Sequence, residues 1–166
     1  MSKLFHLICG STGAGKTTYA MTLADTLGGI RFSIDEWMMT LFGPDVPETI
    51  ELAWMMERVA RCEAQIGRMA LQVARQGLPV LLDLGFTTAE HRERVAALAR
   101  NAGFGVQLHL LEGAAEMRWA RVQARNQNKG ATFAMPVSRA MFDFVETLWE
   151  PPTAIEMANM HGVRID

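Results

Sequence analysis

Leu4-Phe5-His6-Leu7-Ile8-Cys9 runs straight into Gly10-Ser11-Thr12-Gly13-Ala14-Gly15-Lys16-Thr17-Thr18, after which Ala20, Leu23, Ala24 and Leu27 recur at helical spacing and Gly28-Gly29 closes the segment. A short apolar run, a glycine-rich turn and an amphipathic stretch read as strand, loop and helix. Gly10 to Thr17 fits G-x-x-x-x-G-K-[ST], in the one context that gives the pattern physical meaning. Its glycines let the backbone curl so that successive N–H groups point at a common centre, and the helix beginning near Lys16 adds its positive end. Gly10, Ser11, Thr12, Gly13, Ala14, Gly15, Lys16, Thr17 and Thr18 are therefore candidates for holding nucleotide phosphates. Lys16 would reach the β and γ phosphates, and the Thr17 hydroxyl would ligate Mg²⁺. A chance glycine turn would not need the flanking strand and helix.

Outward from this loop the chain keeps alternating. Ile30–Ile34 is a second strand candidate, and Asp35-Glu36-Trp37-Met38-Met39 opens a helical turn before the breaker at residues 42–47. From Glu48 to Gln76 the spacing of Leu52, Met55, Val59, Ile66, Met69 and Val73 predicts a long helix stopped by Gly77. Pro79–Leu84 is a continuous apolar run, as in a strand covered on both faces. Helices are expected over Thr88–Asn101, Ala114–Asn128 and Pro136–Trp149, the last with proline in its first turn. Phe104–Leu111 is the fourth strand, and a short helix and a strand at Gly162–Asp166 complete the pattern. Strands alternating with helices over 166 residues predict a single α/β domain with a parallel sheet and helices on both faces. In such sheets ligands bind beyond the carboxyl ends of the strands.

Composition narrows the partners. Hydrophobic residues make up 49% and charged ones 20%, which excludes a disordered chain, and the formal charge of −2 offers no general attraction for nucleic acid or anionic membrane. Only Lys3, Lys16 and Lys129 are lysines; every other basic residue is arginine. Cys9 and Cys62 sit in strand- and helix-like segments and suit a reducing compartment. The apolar run before Gly10 is too short for a signal sequence or a membrane span, so a cytoplasmic protein is expected.

Three further sets of residues carry chemistry. Asp35 follows the second strand, where it can accept a proton from an attacking hydroxyl; an aspartate there can also cap a helix over Glu36–Leu41. Asp83 ends Val80-Leu81-Leu82-Asp83, the pattern of a strand whose carboxylate holds Mg²⁺, although a strand-end aspartate can also simply begin a turn. Arg118, Arg121 and Arg125 share one face of a helix, and Arg121 or Arg125 is expected to meet a triphosphate. Residues 126–132 would then form the hinge of a lid. Arg92 and Arg94 open another helix just past Asp83, where one of them can reach an acceptor, but both are expected solvated at the surface. The Trp37-Met38-Met39 and Trp54-Met55-Met56 runs read either as core or as the apolar lining of an acceptor pocket.

These motifs resemble the small P-loop kinases of the zeta-toxin, chloramphenicol phosphotransferase and polynucleotide 5′-kinase group, within the AAA-type ATP-binding domains. The resemblance spans nearly the whole chain. It rests on Gly10–Thr17, Ser33-x-Asp35, Leu82-Asp83, Arg121-x-x-x-Arg125-Asn126 and Trp149-Glu150-Pro151-Pro152. It implies a three-layer P-loop fold with a five-stranded parallel sheet in the order 2-3-1-4-5 and a helical lid over about residues 114–135. It also implies Asp35 as general base and Arg121 and Arg125 as lid arginines. Relatives that act on polynucleotide ends often carry arginine three residues after that aspartate, where this chain has Met38.

The expectation is an ATP- and Mg²⁺-dependent phosphotransferase acting on a hydroxyl of a small molecule. Lys16, Asp35, Arg121 and Arg125 would be the catalytic residues, and Thr17 and Asp83 would hold the metal. A nucleotide-binding regulatory protein with slow hydrolysis is the alternative from another class. A guanine-reading switch is disfavoured, since Asn128-Lys129 is followed by Gly130-Ala131. A polynucleotide 5′-hydroxyl kinase is disfavoured by charge and by Met38.

Overall fold

The computed structural model describes residues 3–47, 49, 51–130 and 136–165. Five strands, β1 (Lys3–Cys9), β2 (Ile30–Ser33), β3 (Val80–Asp83), β4 (Gly105–Leu111) and β5 (Val163–Ile165), form one sheet in the order β2-β3-β1-β4-β5. Every pairing is parallel. Register decides what meets at the rim: Leu7 and Phe32 both pair with Leu82, and Ser33 pairs with Asp83. The first three strands thus end level with one another, where β1 gives way to the glycine loop.

Among the described residues seven α-helices connect the strands: α1 (Lys16–Leu27), α2 (Ile34–Phe42), α3 (Leu52–Arg75), α4 (Ala89–Asn101), α5 (Ala115–Asn128), α6 (Arg139–Leu148) and α7 (Ala154–Asn159). Period-two alternation splits β1 between two cores. Phe5, Leu7 and Cys9 join Ile66, Ala70 and Ala74 of α3 and Ala96 and Ala99 of α4. Ile8 faces the other way, with Ala20 of α1, Leu111 and the partly buried Tyr19 and Leu23. Burial on both faces is why β3 reads as an unbroken apolar run.

Three local expectations are corrected. The helix expected from Glu48 begins at Leu52; residues 48 and 50 lie outside those described. Leu52 does not belong to the buried stripe and is 70% exposed, because the inward face of α3 develops only from Val59 and Cys62 onward. The helix expected from Pro136 begins at Arg139, since the Ser138 hydroxyl accepts the Met141 N–H and caps it there. The terminal helix and strand both form, α7 being closed at its start by a capping box of Thr153 and Glu156.

Candidate active site

The glycine loop joins β1 to α1, and its conformation is set where no side chain can follow. Gly13 lies at φ +78, and a Cβ there would come within 2.5 Å of the Arg118 carbonyl oxygen on α5. Gly15 lies at φ +93 with open space on its Cβ side, so only the backbone demands glycine at that position. Lys16 folds back over the loop, its Nζ donating to the Ser11 carbonyl at 3.1 Å. Burial pulls the pKa of the ammonium down, and the carboxylates of Asp83 and Asp35 oppose the shift.

Asp83 is buried at the end of β3. Its Oδ2 accepts the Thr17 hydroxyl at 3.0 Å and lies 3.4 Å from Nη1 of Arg31, whose other nitrogen reaches Glu36. Burial pushes the Asp83 carboxyl up, against the pull of Lys16 and Thr17. Hydroxyl and carboxylate thus face each other at the mouth of the loop, as a Mg²⁺ site shared with phosphate oxygens requires. Among the described residues no cluster of three His, Cys, Asp or Glu side chains could hold a metal without such help. The donor set suits a cation that brings water and substrate oxygens with it.

Asp35 is exposed in the first turn of α2. The capping alternative does not hold, because Ser33 is the cap and accepts the Glu36 N–H. Asp35 shares a cavity of about 480 Å³ with the loop, Asp83, Arg121 and Arg125. Every residue expected to bind phosphate or metal or to act in catalysis lines it except Ala14, whose side chain is buried against α1 and whose N–H turns back to Ser11.

The arginine helix divides its labour. Arg118 is buried and forks onto Glu146 of α6 at 2.8 and 2.6 Å, while donating to the carbonyls of Thr12 and Gly113. Glu146 also accepts the Ser11 hydroxyl, and the Arg118 bonds hold its carboxyl below the usual range. This tie locks the glycine loop to α5 and α6. Arg121 is exposed in the cavity wall, and Arg125 keeps a buried Nε with no hydrogen-bond partner among the described residues. Within the segment expected as a lid, about residues 114–135, Asn126 of the expected hinge holds the backbone of Val137, just beyond the segment's end, in both directions. Residues 131–135 of that segment lie outside those described.

Residues 5–146 match the sequence profile of the AAA domain family. The chain belongs to that family. The match runs from β1 to Glu146, so it takes in the glycine loop, Asp35, Asp83 and the arginine helix. Among solved structures, Kti12 of Chaetomium thermophilum in complex with ADP-AlF3 is 17% identical, at a TM-score of 0.73, with 97% of this chain and 88% of that one covered. A sugar kinase of a Janibacter species is 16% identical, at a TM-score of 0.65 and coverages of 99% and 85%. Shikimate kinase of Acinetobacter baumannii in complex with shikimate is 16% identical, at a TM-score of 0.58 and coverages of 99% and 84%. The AAA-domain fold of this chain is that of the small P-loop kinases, as the motifs led one to expect. No functionally curated protein matches the sequence significantly.

One expectation changes here, and one pair of alternatives is decided in favour of the core. Arg92 is not at the surface; it is fully buried, bonded to Glu156 and to the Phe86 carbonyl. None of the residues in the two Trp-Met-Met runs lines the cavity, since Trp37 and Met38 pack into the core and Trp54 stacks under Arg58. The apolar walls are instead Ile34, Val122, Val137, Val145 and Trp149. The Arg118–Glu146 tie carried no sequence signal, its partners being 28 residues apart on different helices.

Proposed function

We propose that the protein transfers the γ-phosphoryl group of ATP to a hydroxyl of a small-molecule acceptor, with Mg²⁺ as the required metal. The observation that supports this reading is that one cavity is lined by the loop with Lys16, the Thr17–Asp83 pair and Asp35 together. The loop N–H groups and Lys16 bind the phosphate chain. Thr17 and Asp83 would hold Mg²⁺, whose chemistry there would be to neutralise charge on the transferred group. Asp35 accepts the proton as the acceptor oxygen bonds to phosphorus and the bond to the β-phosphate oxygen breaks. Arg121 and Arg125 meet the charge spread over the moving phosphoryl oxygens.

Asp35 favours transfer over mere nucleotide holding. It neither caps its helix nor lies within ion-pairing distance of a cation among the described residues, which leaves it available to an acceptor. The test is ATP consumption measured against a panel of hydroxylated metabolites and antibiotics, with nucleic-acid 5′ ends included and Lys16→Ala as control. Stimulation by a small hydroxyl compound, absent in Lys16→Ala, is the expected result. Stimulation by nucleic-acid ends alone would make the protein a polynucleotide kinase, and unstimulated slow hydrolysis would make it a regulatory nucleotide-binding protein.

A further inference from the structure

Among the described residues Arg92 is the largest side chain to be fully buried, and the proposed chemistry makes no use of its charge. Its Nε and Nη2 fork onto the Glu156 carboxylate of α7 at 2.9 and 3.2 Å. Its Nη1 donates to the Phe86 carbonyl at 3.1 Å, and the Cys9 thiol reaches the same oxygen at 3.8 Å. The guanidinium carbon also lies 5.9 Å from the ring centroid of Trp149.

What this arginine holds is unusual. Phe86 sits at φ +49, a left-handed conformation that is strained for a bulky residue, with its ring fully buried. It lies between Gly85 and Thr87, which line the cavity, and Trp149 forms another part of the same wall. Glu150 fastens the wall from outside: its N–H donates to the Thr87 carbonyl at 2.9 Å and its carboxylate accepts the Ala89 N–H at 2.7 Å. A buried ion pair can often be replaced by apolar side chains without loss of stability. Its use here is geometric: one planar fork fixes a strained carbonyl and an aromatic wall together.

We infer that the Arg92–Glu156 pair sets the acceptor wall of the cavity, Arg92 acting as a positioning residue through Phe86 and Trp149 and taking no part in nucleotide binding. This rests on the reading of the cavity as a phosphotransfer site. The variants are Arg92→Lys, which keeps the charge and loses the fork, and Arg92→Met with Glu156→Gln, which removes both charges and strands neither. In 5-fluorotryptophan-labelled protein the Trp149 resonance, assigned by its loss in Trp149→Phe, is expected to move or broaden in both variants, while that of Trp54 stays in place. MgADP affinity by calorimetry is expected to stay within tenfold of the parent. Acceptor KM is expected to rise at least tenfold, with acceptor-independent ATP hydrolysis unchanged.

A Trp149 resonance unmoved in both variants, MgADP binding weakened more than tenfold, or failure of both variants to fold would each overturn the inference. If the parent protein shows no acceptor-stimulated turnover, the phosphotransfer reading falls, and the Trp149 resonance still decides whether the pair sets that wall.

Discussion

The Thr17 hydroxyl lies 3.0 Å from Oδ2 of Asp83, joining the first turn of α1 to the end of β3 across two strands of the sheet. Because β1 and β3 end level, the glycine loop that leaves β1 carries Thr17 back to the end of β3, where Asp83 meets it. The pair faces the cavity from one side and the core from the other. That position has opposite consequences for stability and for binding.

Asp83→Asn separates those consequences. Burial raises the Asp83 carboxyl above its ordinary 3.8, so the folded protein retains a proton there that the unfolded chain releases. Stability therefore falls as pH rises from 3.8 through the raised folded value, and the penalty is complete above it. The asparagine variant is expected to melt above the parent at pH 7, with the advantage fading as both are taken below pH 3.8. Its Mg²⁺-dependent nucleotide binding is expected to weaken roughly 10- to 100-fold, as for other disturbed metal surroundings. Calorimetric melts at the two pH values and titrations with MgATP check the two halves; an equal advantage at both pH values would remove burial of the charge as its cause.

Asp35 calls for a different signature. It is exposed and its helix is capped by Ser33, so Asp35→Asn is expected to leave the melting temperature and MgATP affinity near the parent's. Acceptor-dependent turnover is expected to drop by about 10²- to 10⁴-fold, the usual worth of a general base. Parent-like turnover with any acceptor found in the screen would eliminate Asp35 from that role.

The contrast between Asp35 and Arg92 shows what a sequence carries. The loop, Asp35 and Asp83 were legible because each follows an apolar strand, and a parallel sheet delivers strand ends to one rim. Arg92 was not, because an arginine near the start of a charged helix reads as solvated, and what buries it is Glu156, 64 residues further on. Arg118 failed for the same reason: its spacing with Arg121 and Arg125 places three guanidinia on one helix face, while the partner that draws the first inward comes from α6. The Trp-Met-Met runs were ambiguous because an apolar stripe is the same whether it faces a core or a cleft.

The Arg118–Glu146 tie is expected to behave as a coupled unit. Arg118→Met leaves the Thr12 and Gly113 carbonyls without this donor and Glu146 with only the Ser11 hydroxyl, and Glu146→Gln leaves a buried guanidinium without its counter-charge. Each is expected to cost about 2 to 4 kcal/mol, and the double variant much less than the sum. A denaturant double-mutant cycle measures the coupling; strict additivity would show that the two side chains do not act on one another.

Gly13 and Gly15 separate packing from backbone strain within a single loop. Both lie at positive φ, Gly13 at +78 and Gly15 at +93, so alanine at either position suffers the left-handed penalty of about 1 to 2 kcal/mol. Only at Gly13 would the new Cβ also meet backbone, the Arg118 carbonyl at 2.5 Å and the Val122 side chain at 3.0 Å; at Gly15 it meets nothing within 4 Å. The Arg118 carbonyl belongs to α5 and cannot rotate away, so Gly13→Ala must push the loop off that helix and strain the Thr12–Arg118 bond. Gly13→Ala is accordingly expected to destabilise more than Gly15→Ala, by about 1 kcal/mol or more, as overpacking does elsewhere. Its melting temperature should also respond to Arg118→Met, because both changes act on one contact, whereas that of Gly15→Ala should add independently to Arg118→Met. Thermal melts of the two singles and the two doubles provide the check; equal losses at Gly13 and Gly15 would mean that the loop does not rest on α5.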